Sequence, residues 1–268
     1  MRIARFAAAG ADPAYGIIEL AVDGTENPDT IAVLTGDPLA GTPVNYTGER
    51  HHLEDVRLLA PVIPRSKVVG VGRNYADHAA EMGNEVPVGA PLLFLKPNTS
   101  IVGPNDPIVV PAGVEHLNFE GELAIVIGRI CKEVPIERVP EVIFGYTIAN
   151  DVTQRDWQAS DDQWTRAKGS DTFCPLGPWM NTHLSIDEAS KLGIQTRVNG
   201  EVRQDDNTSK MVRGIAELVH FISSFTTLLP GDLILTGTPK GVGDMGAGDV
   251  VEIDIDGLGT LRNPITPA

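Results

Sequence analysis

The chain has 268 residues, which is enough for one large domain or for a large core with a small appendage. Apolar residues make up 42% of it and charged residues 21%, as in ordinary globular proteins, and the apolar runs are too short to predict a transmembrane helix. Acidic residues outnumber basic ones by 36 to 21, which argues against nucleic acid or an anionic membrane as a partner.

The first part of the chain is predicted to be a small β-rich domain, residues 1–60, followed by a larger domain, residues 61–268. Residues 17–22 predict a strand, and the Asp23-Gly24 pair after it is a turn signal. Residues 57–64 contain two prolines and are interpreted as a linker between the domains.

A short helix is predicted after residue 75 and ends at Gly83-Asn84, because alanine, glutamate and methionine favour helix and glycine stops it. His78 and Glu81 are three residues apart and therefore share one face of this helix. A carboxylate beside an imidazole raises its basicity and fixes its tautomer, as a general base requires. The alternative is an ordinary surface pair. The flanking glycines and proline are compatible with a mobile lid.

The segment from residue 118 to 128 predicts a buried strand that begins with Glu120 and Glu122. Residues two apart on a strand point to the same face, so the two carboxylates would project side by side, with Gly121 between them. A bound divalent cation would relieve their repulsion, and oxygen ligands suit Mg²⁺, Mn²⁺ or Ca²⁺ rather than Zn²⁺. The alternative is a solvated acidic strand end, because a lone Glu-x-Glu is a common motif.

A third carboxylate, Asp151, ends the next predicted strand, residues 142–151. A carboxylate at the end of an apolar strand is badly placed unless something pairs with it, which makes Asp151 the natural third oxygen ligand. Arg155 and Gln158 follow closely and concentrate polar groups there. The polar stretch that comes next, residues 160–170, is predicted to be exposed or mobile, and it contains Lys168.

The remaining sequence predicts alternating helices and strands. The elements are a short helix within 184–192, a hairpin at 196–202, the longest helix from 208 or 209 to about 228, a strand at 233–236 and a hairpin at 250–261. Gly237 and Thr238 follow the strand without a Walker signature, and such a loop can cradle a carboxylate with its backbone N–H groups. Cys131 and Cys174 are not spaced as a metal or redox pair, so reduced thiols and a cytoplasmic location are predicted.

Several of these motifs, in this order, resemble the fumarylacetoacetate hydrolase superfamily over about residues 67–265. The motifs are Gly72-Arg73-Asn74-Tyr75 with His78 and Glu81, Phe94-Leu95-Lys96-Pro97, Phe119-Glu120-Gly121-Glu122-Leu123, the segment from Asn150 to Asp156, Lys168, and Thr236-Gly237-Thr238-Pro239. The resemblance implies an α+β fold with a mixed β-roll core and flanking helices behind the N-terminal β-rich domain, and a homodimer. Size and N-terminus look closest to bacterial 2-hydroxyhepta-2,4-diene-1,7-dioate isomerases and acylpyruvate hydrolases.

The resemblance also implies roles for particular side chains. Mg²⁺ or Mn²⁺ would be held by Glu120, Glu122 and Asp151. Catalytic roles would fall to His78, Glu81 and Lys168. The candidate substrate-binding residues are Tyr75, Arg155, Gln158, Gly237 and Thr238.

This set of residues suits a 2-oxo acid that chelates the metal, with Lys168 and Arg155 offsetting the added negative charge. The metal would stabilise an enolate as a Lewis acid. With His78 as base, the site could ketonise a 2-hydroxy-dienoate or activate water to cleave a C–C bond, and decarboxylation would need the enolate alone. The resemblance favours an isomerase of aromatic-compound catabolism. A silent metal- or carboxylate-binding protein is the alternative of another class, but a passive binder needs no base.

Overall fold

The fold comes from a computed structural model that describes residues 1–21 and 28–268, so the Asp23-Gly24 turn lies outside the described residues. The strands are β1 (Arg2–Ala8), β2 (Ala14–Glu19), β3 (Thr30–Leu34), β4 (Tyr46–His52), β5 (Val56–Leu59), β6 (Val68–Gly72), β7 (Leu92–Lys96), β8 (Ile101–Val102), β9 (Ile108–Val110), β10 (Leu117–Phe119), β11 (Gly121–Ile127), β12 (Ile143–Asn150), β13 (Thr153–Gln154), β14 (Cys174–Asn181), β15 (Gly193–Val198), β16 (Glu201–Asn207), β17 (Leu233–Leu235), β18 (Gly243–Asp244), β19 (Val250–Ile255) and β20 (Gly259–Pro267). The helices are α1 (Ala76–Glu81), α2 (Arg155–Ser160), α3 (Thr165–Gly169), α4 (Ile186–Ala189) and α5 (Ile215–Phe225). Short 3₁₀ turns occur at Leu53–Asp55, Asn98–Ser100, Ile136–Glu141 and Thr208–Lys210. The predicted α+β class is confirmed.

The largest sheet is organised around β11, which the sequence predicts as a buried strand. Its strands follow the order β4-β3-β2-β1-β14-β12-β11-β17-β6-β7. Every residue of β11 is buried, because its apolar, β-branched side chains are covered on both faces of the sheet. β12 runs antiparallel to β11 with Gly121 opposite Asn150, and the Asp151 N–H donates to the Glu120 carbonyl at 2.9 Å. This register brings the acidic ends of the two strands together.

The N-terminal strands extend the same sheet, since β1 pairs with β14 through Arg2 and Asn181. The interpretation of residues 57–64 as a linker is wrong for its first half, because β5 pairs antiparallel with β1 there. The apolar side chains of β5 pack against β1, which outweighs the proline signal that follows it. The domain boundary after residue 60 stays a prediction.

Two smaller sheets surround the acidic strand ends. One has the order β13-β10-β18 and the other the order β16-β15-β19-β20-β9. Gly121 lies where the second of these sheets crosses β11, and a Cβ there would come within 2.5 Å of Thr196 Oγ1. A glycine is therefore needed for close packing at this point, beyond the room it leaves between the two glutamates.

The longest described helix, α5, begins at Ile215 and not at residue 208 or 209 as predicted. The preceding residues are held by tertiary hydrogen bonds instead: the Val212 N–H donates to the Asn74 carbonyl at 2.8 Å, and the Arg213 N–H donates to Asn74 Oδ1 at 2.8 Å. These bonds use N–H groups that a helix would need for its own carbonyls. None of the described helices has the length and hydropathy of a membrane-crossing segment.

Candidate metal centre and active site

Three carboxylates converge at the end of β11. Glu120 lies in the break between β10 and β11, Glu122 is in β11, and Asp151 directly follows β12. Each is buried, and each offers one oxygen such that all three oxygens lie within 4.8 Å of one another. Carboxylate oxygens converging in this way form a donor set for a hard divalent cation.

Three cationic side chains surround the carboxylates. Lys168 Nζ lies 2.5 Å from Asp151 Oδ2 and 2.8 Å from Glu120 Oε2. Lys96 Nζ lies 2.5 Å from the other Asp151 oxygen, and Arg155 Nη2 lies 2.6 Å from Glu120 Oε1. The prediction that residues 160–170 are exposed is wrong for Lys168, because α3 turns this side chain inward and buries it. Burial lowers its pKa, but the charges of Asp151 and Glu120 outweigh burial, so the pKa lies above its ordinary value.

The two glutamates differ in their partners. Burial alone would raise the pKa of Glu120, but Lys168 and Arg155 outweigh it and hold that pKa below its ordinary value. Glu122 forms no ion pair with any described residue and accepts the Gly237 N–H at 2.7 Å. Burial raises the pKa of Glu122 well above its ordinary value, and the charges of Asp151 and Glu120 raise it further. Glu122 is therefore the carboxylate whose charged form is not stabilised by an ion pair with any described residue.

These observations fit a divalent metal ion. The donors are oxygens only, they are buried, and the charged form of one of them, Glu122, is disfavoured by burial and by its two carboxylate neighbours. Burying an unpaired carboxylate is costly, and a cation at this position would remove that cost. Glu120, Glu122 and Asp151 are the residues that would hold the ion.

His78 and Glu81 lie on one face of α1, as the spacing predicts. His78 Nδ1 is 3.5 Å from Glu81 Oε2, a close approach without a hydrogen bond. Glu81 is oriented by the Gly241 N–H, which donates to both of its carboxylate oxygens at 3.0 and 3.1 Å. Burial lowers the pKa of His78 despite the opposing charge of Glu120, so the imidazole is held neutral and able to accept a proton.

A cavity of about 490 Å³ contains this chemistry and has the size of a small-molecule site. Its lining includes the three carboxylates together with His78, Arg155, Gln158, Lys168 and Thr238. Gln158 accepts a hydrogen bond from Arg155 Nη1 at 2.7 Å, and the Thr238 hydroxyl donates to the Gly121 carbonyl at 2.9 Å. Side chains from five separate stretches of sequence thus face one space.

Three of the predicted site residues do not line this cavity. Glu81 lies 3.5 Å from His78 Nδ1 and accepts the Gly241 N–H, and Gly237 donates its N–H to Glu122. Tyr75 is fully buried, and its hydroxyl has no hydrogen-bond partner among the described residues. Burial and the charge of Glu122 raise the pKa of Tyr75. The substrate-binding role predicted for Tyr75 stays a prediction.

Lys96 and Asn118 also contribute to the site, although no role is predicted for them from the sequence. Lys96 is 1% exposed and ends the apolar strand β7, and a lysine in such a run is a detectable signal of a buried partner. Asn118 Oδ1 accepts the Arg155 Nε–H at 2.9 Å, and its amide donates to Asp244 Oδ1 at 2.6 Å. Asn118 therefore orients Arg155, and no local pattern reveals this.

Comparison with known proteins identifies the family of the chain. Residues 67–266 match the family described as fumarylacetoacetate (FAA) hydrolase C-terminal, and residues 1–61 match a family described as Rv2993c-like, N-terminal. The Mycobacterium tuberculosis protein named Protein Rv2993c is 58% identical over 225 residues, which are 84% of this chain and 84% of that protein. The mitochondrial oxaloacetate tautomerase fahd2 of Xenopus laevis is 44% identical over 220 residues, covering 79% of this chain and 69% of that protein.

Solved structures give the same result. A 5-carboxymethyl-2-hydroxymuconate delta-isomerase from Mycobacterium smegmatis superposes with a TM-score of 0.89 at 48% identity, covering 100% of both chains. A maleylpyruvate hydrolase from Sphingobium sp. SYK-6, in complex with manganese(II) ion and pyruvate, superposes with a TM-score of 0.79 at 30% identity, again over 100% of both chains.

The fold and site define an α+β enzyme with a buried acidic centre that could bind a divalent metal ion. The chain belongs to the fumarylacetoacetate hydrolase superfamily, as the resemblance of its motifs predicts.

Proposed function

We propose that this protein is a divalent-metal-dependent enzyme that acts on 2-oxo and 2-hydroxy-dienoic acids through an enolate, in the manner of a 2-hydroxyhepta-2,4-diene-1,7-dioate isomerase of aromatic-compound catabolism. The proposal depends on one observation. Three buried carboxylates, whose oxygens lie close enough together to bind a cation, share a cavity with a neutral buried histidine. Mg²⁺ or Mn²⁺ held by Glu120, Glu122 and Asp151 would supply Lewis acidity toward the oxygens of the substrate.

In the isomerase reaction the protein's own residues move one proton. His78 takes the proton from the 2-hydroxyl group, the electron pair of that O–H bond forms the 2-oxo group, and the dienol double bonds shift along the chain. The same proton returns to carbon at the far end of the shifted system, so no atom is gained or lost. Lys168 stabilises the oxyanion between the two transfers, and Arg155 and Gln158 orient the substrate.

The alternative is hydrolysis of an acylpyruvate. Here His78 takes a proton from water, the hydroxide attacks the second carbonyl, and the C–C bond breaks to give a carboxylic acid and the enolate of pyruvate, which is then protonated. The Sphingobium maleylpyruvate hydrolase, at 30% identity, supports this alternative. The Mycobacterium smegmatis isomerase and the Xenopus laevis tautomerase are more similar to this chain and support proton transfer without cleavage. Decarboxylation of a 2-oxo acid with a carboxylate on carbon 3 is a further variant: the electron pair of the broken C–C bond forms the enolate, CO₂ leaves, and the enolate is then protonated.

The test is a panel of 2-hydroxy-dienoic acids, acylpyruvates and decarboxylatable 2-oxo acids, each incubated with Mg²⁺, with Mn²⁺ and with chelator. We expect a product of unchanged mass from the dienoic acids, and loss of turnover with chelator. The Glu122→Gln variant removes a charged oxygen but keeps an amide oxygen that can accept the Gly237 N–H. Its turnover should fall by at least about 100-fold. Loss of a group that orients a metal ligand already lowers activity up to about 100-fold, and loss of the ligand itself should lower it at least as much.

Each product identifies one reaction. If pyruvate and a second acid are formed, the activity is that of a hydrolase and not of an isomerase. If carbon dioxide is formed, the activity is that of a decarboxylase. If the wild type and Glu122→Gln bind Mg²⁺ equally by calorimetry, Glu122 is not a ligand. If the wild type binds metal and 2-oxo acids but converts none, the catalytically silent binding protein replaces the enzyme.

The proposal extends to assembly and location. We propose a homodimer in the cytoplasm with a small-molecule 2-oxo acid as partner, and neither nucleic acid nor a membrane. The acidic balance of 36 to 21 supports the last point, and the free thiols of Cys131 and Cys174 support a reducing compartment. Light scattering that gives the mass of one chain would contradict the dimer.

A further inference from the structure

Arg73 is held at the cavity wall by an unusual backbone conformation. It directly follows β6, and its φ of 58° lies in the left-handed region that residues other than glycine rarely adopt. Its neighbour Asn74 is fixed on both sides, since the Asn74 amide donates to the Thr236 carbonyl at 2.8 Å and its Oδ1 accepts the Arg213 N–H at 2.8 Å. The turn that presents Arg73 is therefore rigid. Rare conformations held in place in this way are concentrated at functional sites.

The charge on Arg73 has no counter-charge from the part of the chain that the structure describes. It lines the cavity and is half-buried, yet it forms no ion pair with any residue in 1–21 or 28–268. The other cations at the cavity, Lys168 and Arg155, are both paired with Glu120. Together with Lys96, these two equal the three carboxylates in number of charges, although none of them pairs with Glu122, so a divalent ion and Arg73 would bring positive charge beyond that balance. A substrate with two anionic groups matches that surplus better than one with a single carboxylate.

Two aromatic rings, those of Phe94 and Trp164, line the same cavity as Arg73 and the acidic centre. Lys168 Nζ lies 5.0 Å from the centroid of the Phe94 ring, and the Phe94 and Trp164 rings meet edge to face with centroids 5.7 Å apart. The Trp164 ring in turn lies 3.3 Å from where a Cβ on Gly72, the residue before Arg73, would be. The cavity lining thus combines the acidic centre, two aromatic rings and the cation Arg73, which suits an unsaturated carbon chain with an acid at each terminus.

We propose that Arg73 binds the distal carboxylate of a dicarboxylic substrate whose 2-oxo or 2-hydroxy acid end lies at Glu120, Glu122 and Asp151. This assignment rests on the proposed function for the position of the 2-oxo end. It makes Arg73 a specificity-determining residue, which distinguishes dicarboxylic from monocarboxylic acids of the same length.

The test compares ligands that differ only at the distal end, with Arg73→Gln and Arg73→Lys. Binding of 2-oxoadipate and 2-oxohexanoate to the Mg²⁺-loaded protein is measured by calorimetry, and turnover of fumarylpyruvate and crotonylpyruvate by kinetics. We expect the wild type to prefer the dicarboxylate. Arg73→Gln should reduce binding and kcat/KM for the dicarboxylate by about 10- to 100-fold, the range for losing a charge-assisted hydrogen bond, with little effect on the monocarboxylate. Arg73→Lys should restore part of the preference.

Arg129→Gln is the matched control, because it removes an exposed arginine that borders a different cleft. It should change neither the binding nor the turnover of the dicarboxylate or the monocarboxylate. An equal loss of affinity for both ligands in Arg73→Gln would overturn the proposal. An unchanged preference for the dicarboxylate in this variant would also overturn it, as would a wild type that binds neither acid. If the wild type binds the acids but converts none of them, the proposed function fails, while the binding ratio still decides the role of Arg73.

Discussion

Glu120 and Glu122 are the same chemical group two residues apart, yet the protein treats them in opposite ways. Glu120 is paired with Lys168 and Arg155, and its pKa is held low despite burial. Glu122 accepts a hydrogen bond from the backbone N–H of Gly237, and burial raises its pKa. A metal ion at this position would stabilise the charged form of Glu122, which is costly to bury without a cation. Glu122 is therefore the ligand through which metal binding and protonation should compete.

The pH profile tests the role of His78. Burial lowers its pKa below the ordinary value of about 6.5, so its neutral form persists to lower pH than that of a free imidazole. We therefore expect activity to be retained at pH 6.5 and the acid limb of kcat/KM to lie below it. His78→Ala should lower kcat by at least about 100-fold, the lower range for general acid–base catalysis, and remove this limb. An acid limb above pH 6.5 would contradict the assignment.

At the scale of elements, one loop joins the two halves of the site. The loop, residues 237–241, follows β17 and donates the Gly237 N–H to Glu122 at one end and the Gly241 N–H to Glu81 at the other. Lys240 adds an exposed ion pair of 3.0 Å with Asp77 on α1. The helix that carries His78 is thereby tied to the loop that also holds a proposed metal ligand. Displacing this loop should disturb the base and the metal centre together.

Gly241→Ala tests this connection. Gly241 has a φ of 95°, and a Cβ there would collide with the Arg203 carbonyl oxygen, so the loop must shift and weaken its bond to Glu81. We expect kcat to fall by at least about 10-fold, as when a positioning group is lost. Gly248→Ala is the control, because Gly248 has a φ of 99° with open space around it.

The control should share the backbone strain of about 1 kcal/mol but keep its kcat. Thermal unfolding of both variants separates a loss of stability from a loss of positioning. Equal kcat values in the two variants would show that the loop does not position the base.

Across the whole molecule, β11 connects the core to the site. Its side chains join two apolar clusters, one through Ile125 and one through Val126, while its first residues carry the acidic centre. The strands of the N-terminal region and those of the catalytic region hydrogen-bond into the same sheet through β1 and β14. Stability and site geometry are therefore set by the same strand.

Ile125→Ala measures that contribution to stability. Ile125 is completely buried, and truncation to alanine should lower the free energy of unfolding by about 2–5 kcal/mol because it loses apolar burial and leaves a cavity. Ile130→Ala removes the same groups from a side chain that is 72% exposed and should cost less than about 0.5 kcal/mol. Denaturant titration of both variants provides the comparison. Similar midpoints would contradict the placement of β11 in the core.

Local patterns were sufficient for much of the protein. The apolar run of β11, the spacing of its two glutamates and the His78–Glu81 pair on one helical face depend on residues near one another in sequence, whose side-chain directions follow from backbone periodicity. The predicted hairpin at Asn199-Gly200 follows from turn chemistry in the same way. The order of the motifs then indicated the superfamily.

Tertiary structure alone decided which charges meet. Lys96 and Asp151 are 55 residues apart in sequence but 2.5 Å apart in space, because the order of strands in the sheet brings them together. No local pattern in the sequence predicts that order. The burial of Lys168 has the same origin, and so does the lack of an ion-pair partner for Glu122 and for Arg73 among the described residues. The sequence by itself determined which groups are available. Only the packing of distant strands determined which are neutralised and which remain to bind a cation or a substrate.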